Sequence, residues 1–148
     1  MPVAHEQVTI AAPPDRVFAA LTHVERLPEW VPYVLQVRRS STVVEGPGFE
    51  ADLLVRISGR ESKGTGRVLE WEPPSRVVLE VGLDVGVKAT ATCLLEPDGE
   101  GTRLAATVDY AVIRKGLGRF AAGFVAGALG RDQLKRALAF VKERMEAT

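Results

Sequence analysis

Between Val34 and Val112 this 148-residue chain changes polarity at nearly every step. Phe49, Ala51, Leu53, Val55 and Ile57 alternate with Glu50, Asp52, Leu54, Arg56 and Ser58. The pattern recurs in Val77, Leu79, Val81 and Leu83, in Val87, Ala89, Ala91, Cys93 and Leu95, and in Leu104, Ala106, Val108, Tyr110 and Val112. A period of two places each set on one face of a strand. Glu72-Pro73-Pro74-Ser75 and Pro97-Asp98-Gly99-Glu100-Gly101 separate the runs as turns. Consecutive strands joined this way form an antiparallel meander.

The ends of the chain follow different rules. Val3 to Ala11 reads as strand one. Pro13-Pro14-Asp15 opens a helix that ends near Thr22-His23, because proline suits the first helical turn and an acidic side chain suits the helix dipole. A second short helix, Val24 to Trp30, stops at Pro32. Near the C-terminus Leu117, Phe120, Ala121, Phe124 and Ala128 share a helical stripe, which Leu134, Leu138, Val141 and Met145 extend. The order is one strand, two short helices, six strands and one long helix. Only the long helix is large enough to cover a face of the sheet. Gly64-Thr65-Gly66 reads as a turn at a strand start. In the fourth strand either Val68 and Glu70 face inward or Arg67, Leu69 and Trp71 do.

Composition excludes several functions. Nineteen Lys and Arg balance nineteen Asp and Glu, so there is no electrostatic footprint for nucleic acid. A single cysteine, Cys93, forbids an intrachain disulfide and fits a reducing compartment. MPVAHEQVTI has no basic segment before an apolar run, so no signal peptide is expected. The longest nearly uncharged run, Phe120 to Gly130, is shorter than the roughly 20 residues that span a bilayer. One cytoplasmic domain over residues 1–148 is expected, without stable membrane insertion. His5, His23 and Cys93 match no metal-ligand spacing, and no glycine-rich phosphate loop follows a strand, so neither metal nor cofactor is expected.

IAAPPDRVFAALTHVERLPEWVPYVLQVRR, residues 10 to 39, resembles the opening of the START-like superfamily. This is also called the polyketide cyclase/dehydrase and lipid transport family, or the birch-pollen-allergen fold. The resemblance rests on Ala12-Pro13-Pro14 before Val17-Phe18, on Pro28-Glu29-Trp30, on Glu72-Pro73-Pro74-Ser75-Arg76, on Gly101-Thr102-Arg103-Leu104, on Val108-Asp109-Tyr110 and on the terminal helix. It covers essentially the whole chain. It implies an α+β helix-grip fold: a curved seven-stranded antiparallel sheet wrapped around a long C-terminal helix, with two short helices after strand one and a cavity between sheet and helix. Members bind lipids, sterols, quinones, polyketides or other hydrophobic molecules, and some are cyclases or dehydratases. The fold alone does not choose among these.

Three readings of function stand side by side. The first is a carrier for a hydrophobic small molecule. Trp30 and Tyr33 would stand at the cavity entrance, and Phe49, Leu53, Leu79, Ala91, Cys93, Tyr110, Leu117, Phe120 and Phe124 would line the interior. The small side chains Ala89, Ala91, Cys93 and Ala106 on the sheet face Ala121, Gly123, Gly127 and Ala128 on the helix, which means either close approach or empty volume. Gly123, Gly127 and Gly130 carry the same ambiguity: close packing or a kink, room or a hinge for a ligand, or a helix–helix contact. Such a carrier would also touch a membrane surface transiently during exchange. The second reading is a cyclase or dehydratase with Tyr110, Glu70, Arg67 and Tyr33 as acid–base groups. The inward polar residues it needs are few, and Cys93 lacks the paired base a nucleophile requires. The third is a protein-interaction module with a filled core and an unnamed protein partner.

Overall fold

The computed structural model describes residues 3–29, 31, 33–57, 59–84, 86–112 and 131–147. Strand β1 (Val3–Ile10) leads into helix α1 (Pro14–Thr22) and a 3-10 helix (Val24–Glu29). Strands β2 (Val34–Arg39), β3 (Glu50–Ile57), β4 (Arg60–Glu72), β5 (Arg76–Leu83), β6 (Val87–Asp98) and β7 (Gly101–Val112) follow. Helix α2 (Arg131–Glu146) closes the chain. The seven strands form one antiparallel sheet in the order β1-β7-β6-β5-β4-β3-β2. The architecture is the α+β helix-grip fold. The meander expected from the alternation is there, and β1 completes the sheet by pairing with the last strand from Val3↔Asp109 to Ile10↔Thr102.

Local sequence explains most element boundaries. Pro13 caps α1 in an extended conformation, Pro14 occupies its first turn, and Asp15 adds a carboxylate there. The second short helix is a 3-10 segment over Val24–Glu29 with Pro28 inside it; Trp30, the last residue expected in it, lies outside the described residues. Proline supplies no amide hydrogen and does not sustain an α-helical ladder. The β6–β7 hairpin is tighter than the five-residue loop expected: Asp98 pairs with Gly101, and only Gly99 and Glu100 turn the chain. Gly99 has φ +61°, a conformation glycine adopts without steric cost.

Two expectations about β4 are corrected. Gly64-Thr65-Gly66 is not a turn; it lies inside a strand of 13 residues. A β-carbon at Gly64 would collide with the carbonyl oxygen of Gly82 and approach Leu83 Cδ2 to 2.8 Å, so close backbone packing on β5 explains the glycine. Neither alternative for the inward face holds along the whole strand. Val68 pairs with Leu79 and Glu70 with Val78, so two steps on β4 match one on β5, with Leu69 bulged between them. The bulge lets both Val68 and Trp71 pack inward.

Helix α2 buries Leu134, Ala137, Leu138, Val141 and Met145, a stripe at helical spacing. It packs over β1, α1 and the adjoining parts of β6 and β7, against Ile10, Val17, Phe18, Leu95 and Leu104. Polar contacts fix its end: Lys142 Nζ donates to the Thr9 carbonyl at 2.8 Å, and Glu146 Oε2 accepts from the Ala11 amide at 2.9 Å. The Lys142 hydrogen bond and then the Ala11 amide hold the Glu146 carboxyl below the usual carboxylate range. Gly123, Gly127 and Gly130, and the upper part of the expected long helix from Leu117, lie outside the described residues.

Candidate functional site

The inward face of the sheet is built from cross-strand rows. Val77 on β5 stands opposite Cys93 on β6, which stands opposite Ala106 on β7. The next row is Leu79, Ala91 and Val108, and the next is Val81, Ala89 and Tyr110. Strand pairing aligns these side chains on one face, and the strands space them about 5 Å apart. Each row has a small residue on the middle strand.

The rows differ in their cover. Val77, Cys93 and Ala106 pack in the cluster that includes Leu134, Leu138 and Val141 of α2. Leu79 and Val108 reach the edge of that cluster. Ala89, Ala91 and Tyr110 belong to no cluster among the described residues. Two smaller clusters lie toward the other end of the sheet. Val24, Phe49, Ala51 and Val68 form one, with Leu79 and Trp71 against it. Val55 and Leu83 form the other, with Tyr33, Val34 and Val81 against it. A void of about 40 Å³ remains beside the first, bounded by Phe49, Leu53, Gly66, Val68 and Val81.

Cys93 shows the character of this region. It retains partial accessible surface. Burial nevertheless pushes its thiol up to about 11. The cause is the apolar packing around it, because a thiolate there would lose its hydration. The Tyr33 hydroxyl is also raised, first by burial and then by the nearby Cys93 sulfur.

Of the expected site residues, Leu79, Ala91, Cys93 and Tyr110 lie in the cross-strand rows, Phe49 and Leu53 border the small void, and Tyr33 packs separately with Val55 and Leu83. Trp30, Leu117, Phe120 and Phe124 lie outside the described residues. Val81, Val24, Leu27 and Gly66 also border the void and were not expected there. Val81 had a usable signal, since it alternates with Leu79. Gly66 was hidden by its reading as a turn. Val24 and Leu27 come from the 3-10 helix and carry no such periodicity.

Two of the four acid–base candidates face the other way. Arg67 donates through Nε to Glu80 Oε1 at 2.9 Å, and Arg76 donates to Glu70 Oε2 at 3.1 Å, in exposed pairs on the convex side. Lys88 Nζ adds a contact to Glu80 Oε2 at 3.3 Å. Burial raises the Glu80 carboxyl, but the Lys88 hydrogen bond and the charges of Arg67 and Lys88 outweigh it and leave the group lowered. The polar groups on the cross-strand rows and at Tyr33 are a thiol and two phenols. Among the described residues no group of three or more His, Cys, Asp or Glu side chains could hold a metal ion. No helix among them is long and apolar enough to cross a membrane.

Solved structures share this arrangement across nearly the whole chain. TTHA0849 from Thermus thermophilus is 21% identical, with a TM-score of 0.78 over 99% of this chain and 98% of that one. A protein from Rhodobacter sphaeroides is 28% identical, with a TM-score of 0.69 over 99% and 93% of the two chains. A START superfamily protein from Mycobacterium smegmatis is 18% identical, with a TM-score of 0.73 over 97% and 98%. No curated protein sequence matches. The family model described as polyketide cyclase/dehydrase and lipid transport matches residues 1–146. The concave apolar face, the sheet order and this match agree, and the chain belongs to the polyketide cyclase/dehydrase and lipid transport family.

Proposed function

We propose that this protein binds and carries a hydrophobic small molecule of the lipid, quinone or polyketide type on the concave face of the sheet. The observation that carries the reading is the concave face: rows centred on Cys93, Ala91 and Ala89, of which Ala91, Ala89 and Tyr110 join no packed cluster among the described residues. Burial of apolar ligand surface supplies affinity at about 25 cal/mol per Å² before ordering costs. The Tyr33 and Tyr110 hydroxyls and the Cys93 thiol orient a single polar group of the ligand, as a few placed polar groups do in apolar pockets. Exchange of such a cargo involves transient contact with a membrane surface and a cytoplasmic working environment. A cyclase or dehydratase is the less supported reading, because Glu70 and Arg67 are engaged on the opposite side of the sheet.

Native mass spectrometry of protein purified gently from its own host, followed by extraction of any bound molecule, tests this. A stoichiometric hydrophobic compound, lost in an Ala91→Leu variant that still folds, is the expected result. Empty protein whose melting temperature is unmoved by lipids, quinones and polyketides overturns it.

A further inference from the structure

A second cavity lies on the flank of the molecule, with a volume of about 640 Å³. It is an open cleft bordered by α1, the start of the 3-10 helix, the loop before β3 and the turn at Pro73-Pro74. Val24 and Phe49 belong both to its lining and to the small void on the concave face, so they form a wall between the two spaces. Its floor is aromatic, with Trp71 partly accessible and Phe18 and Phe49 behind it, each 4% exposed; Phe18 and Trp71 meet edge to face, with centroids 5.1 Å apart at 76°.

The rim is acidic. Asp15 on α1, Glu25 on the 3-10 helix and Glu45 on the loop contribute three carboxylates from three separate segments. His23 is the one basic side chain among the described lining residues. The chain as a whole is neutral, so this is a local departure. Asp15 Oδ1 accepts from the Arg16 amide, while Arg26 pairs with Glu29 rather than with Glu25. The volume falls in the range of small-molecule pockets, about 300–1,000 Å³. Aromatic faces attract cations through their quadrupole, and carboxylates around them add to that attraction while repelling anions.

We propose that this flank cavity is a second ligand site, separate from the concave face, for an organic monocation with an aromatic or alkyl body. The aromatic floor takes the body and the charged head, and the carboxylates of Glu25 and Glu45 select the sign of the charge. This does not depend on what occupies the concave face, and the wall at Val24 and Phe49 makes the two sites separately measurable.

The test is titration of ¹⁵N-labelled protein with benzyltrimethylammonium and, in parallel, with benzenesulfonate, at low salt and pH 8. The amides of residues 15–25 and 44–49 and the Trp71 indole N–H are followed by NMR. Saturable shifts confined to those signals with the cation alone are expected. An E25Q/E45Q double variant, altered only at exposed positions, should keep its melting temperature and bind the cation at least about fivefold more weakly. Equal binding of cation and anion, no saturable shift, unchanged affinity in the double variant, or shifts centred on Ala91, Cys93 and Tyr110 each overturn the proposal. The last outcome would move the cation to the concave face and leave the flank cavity without a role.

Discussion

The two ends of the concave face are made from the same strands, yet they are packed differently. Where α2 lies on β1, β6 and β7, the side chains are large and closed off: Ile10 and Leu104 are 0% exposed, and Val17 beside them is fully buried. Along β5, β6 and β7 toward Tyr110, the central positions are Ala89 and Ala91, which join no packed cluster among the described residues. The first region is a core in the ordinary sense, with density near that of a crystal. In the second, the proposed ligand would supply the packing that the small side chains do not.

That division can be broken in measurable ways. Leu104→Ala, in the closed region, should have the largest effect, lowering unfolding free energy by about 2–5 kcal/mol through lost transfer energy and a residual cavity. Denaturant titration measures it, and a loss under about 1 kcal/mol would mean the closed region is looser than its burial implies. Enlarging a small residue in each region sharpens the contrast. Ala106→Leu, buried against α2, should cost about 1–3 kcal/mol, whereas Ala91→Leu should cost less than that while abolishing ligand uptake. Equal costs would indicate that no space exists at Ala91.

Cys93, packed against the cluster beneath α2, gives a pH test of how closed that region is. Its thiol ionises near 11 in the folded protein, above its ordinary value of 9.0. Between those values the unfolded chain has released the proton and the folded one retains it. The folded state then binds more protons, so stability falls as pH rises through that window, by at most about 1.4 kcal/mol per pH unit. A Cys93→Ala variant should lack this component when the two unfolding curves are compared from pH 8 to 11. Identical curves would place the thiol in water.

The smallest expected effect is at the exposed clamp on α2. Lys142 and the Ala11 amide lower the Glu146 carboxyl, so its contribution is present above the usual carboxylate range and is lost as pH falls through the depressed folded value. Glu146→Gln should shift the melting temperature only slightly at pH 7 and flatten the acid limb of the stability profile. A large shift at pH 7 would show that the clamp, rather than the apolar stripe, holds the helix.

Several features were legible before any coordinates. Alternation at Phe49 to Val55, Val77 to Leu83 and Leu104 to Tyr110 is a property of single strands, and strands joined by short turns have few ways to pair. The terminal stripe of Leu134, Leu138, Val141 and Met145 is likewise local, because helical periodicity is set by backbone geometry. Leu79, Ala91, Val108 and their neighbours line up across the strands for the same reason: equal parity on neighbouring strands brings side chains together. The identity of the inward face of β4 was not legible. A bulge at Leu69 reverses parity within the strand, and its location depends on how β4 fits β5.

The chain by itself determined the order of elements, the antiparallel meander and which residues share a face, since these follow from backbone period and turn chemistry. Tertiary structure alone decided that β1 closes against β7, that Gly64 and Gly66 lie within a strand, and that Arg67 and Glu70 turn away from the cavity. It also decided which small side chains join a packed cluster, as Ala106 does, and which do not, as with Ala91. An alanine reads the same in a sequence whether a helix presses on it or a void faces it. The difference lies in the position of segments distant in the chain, which no local pattern encodes.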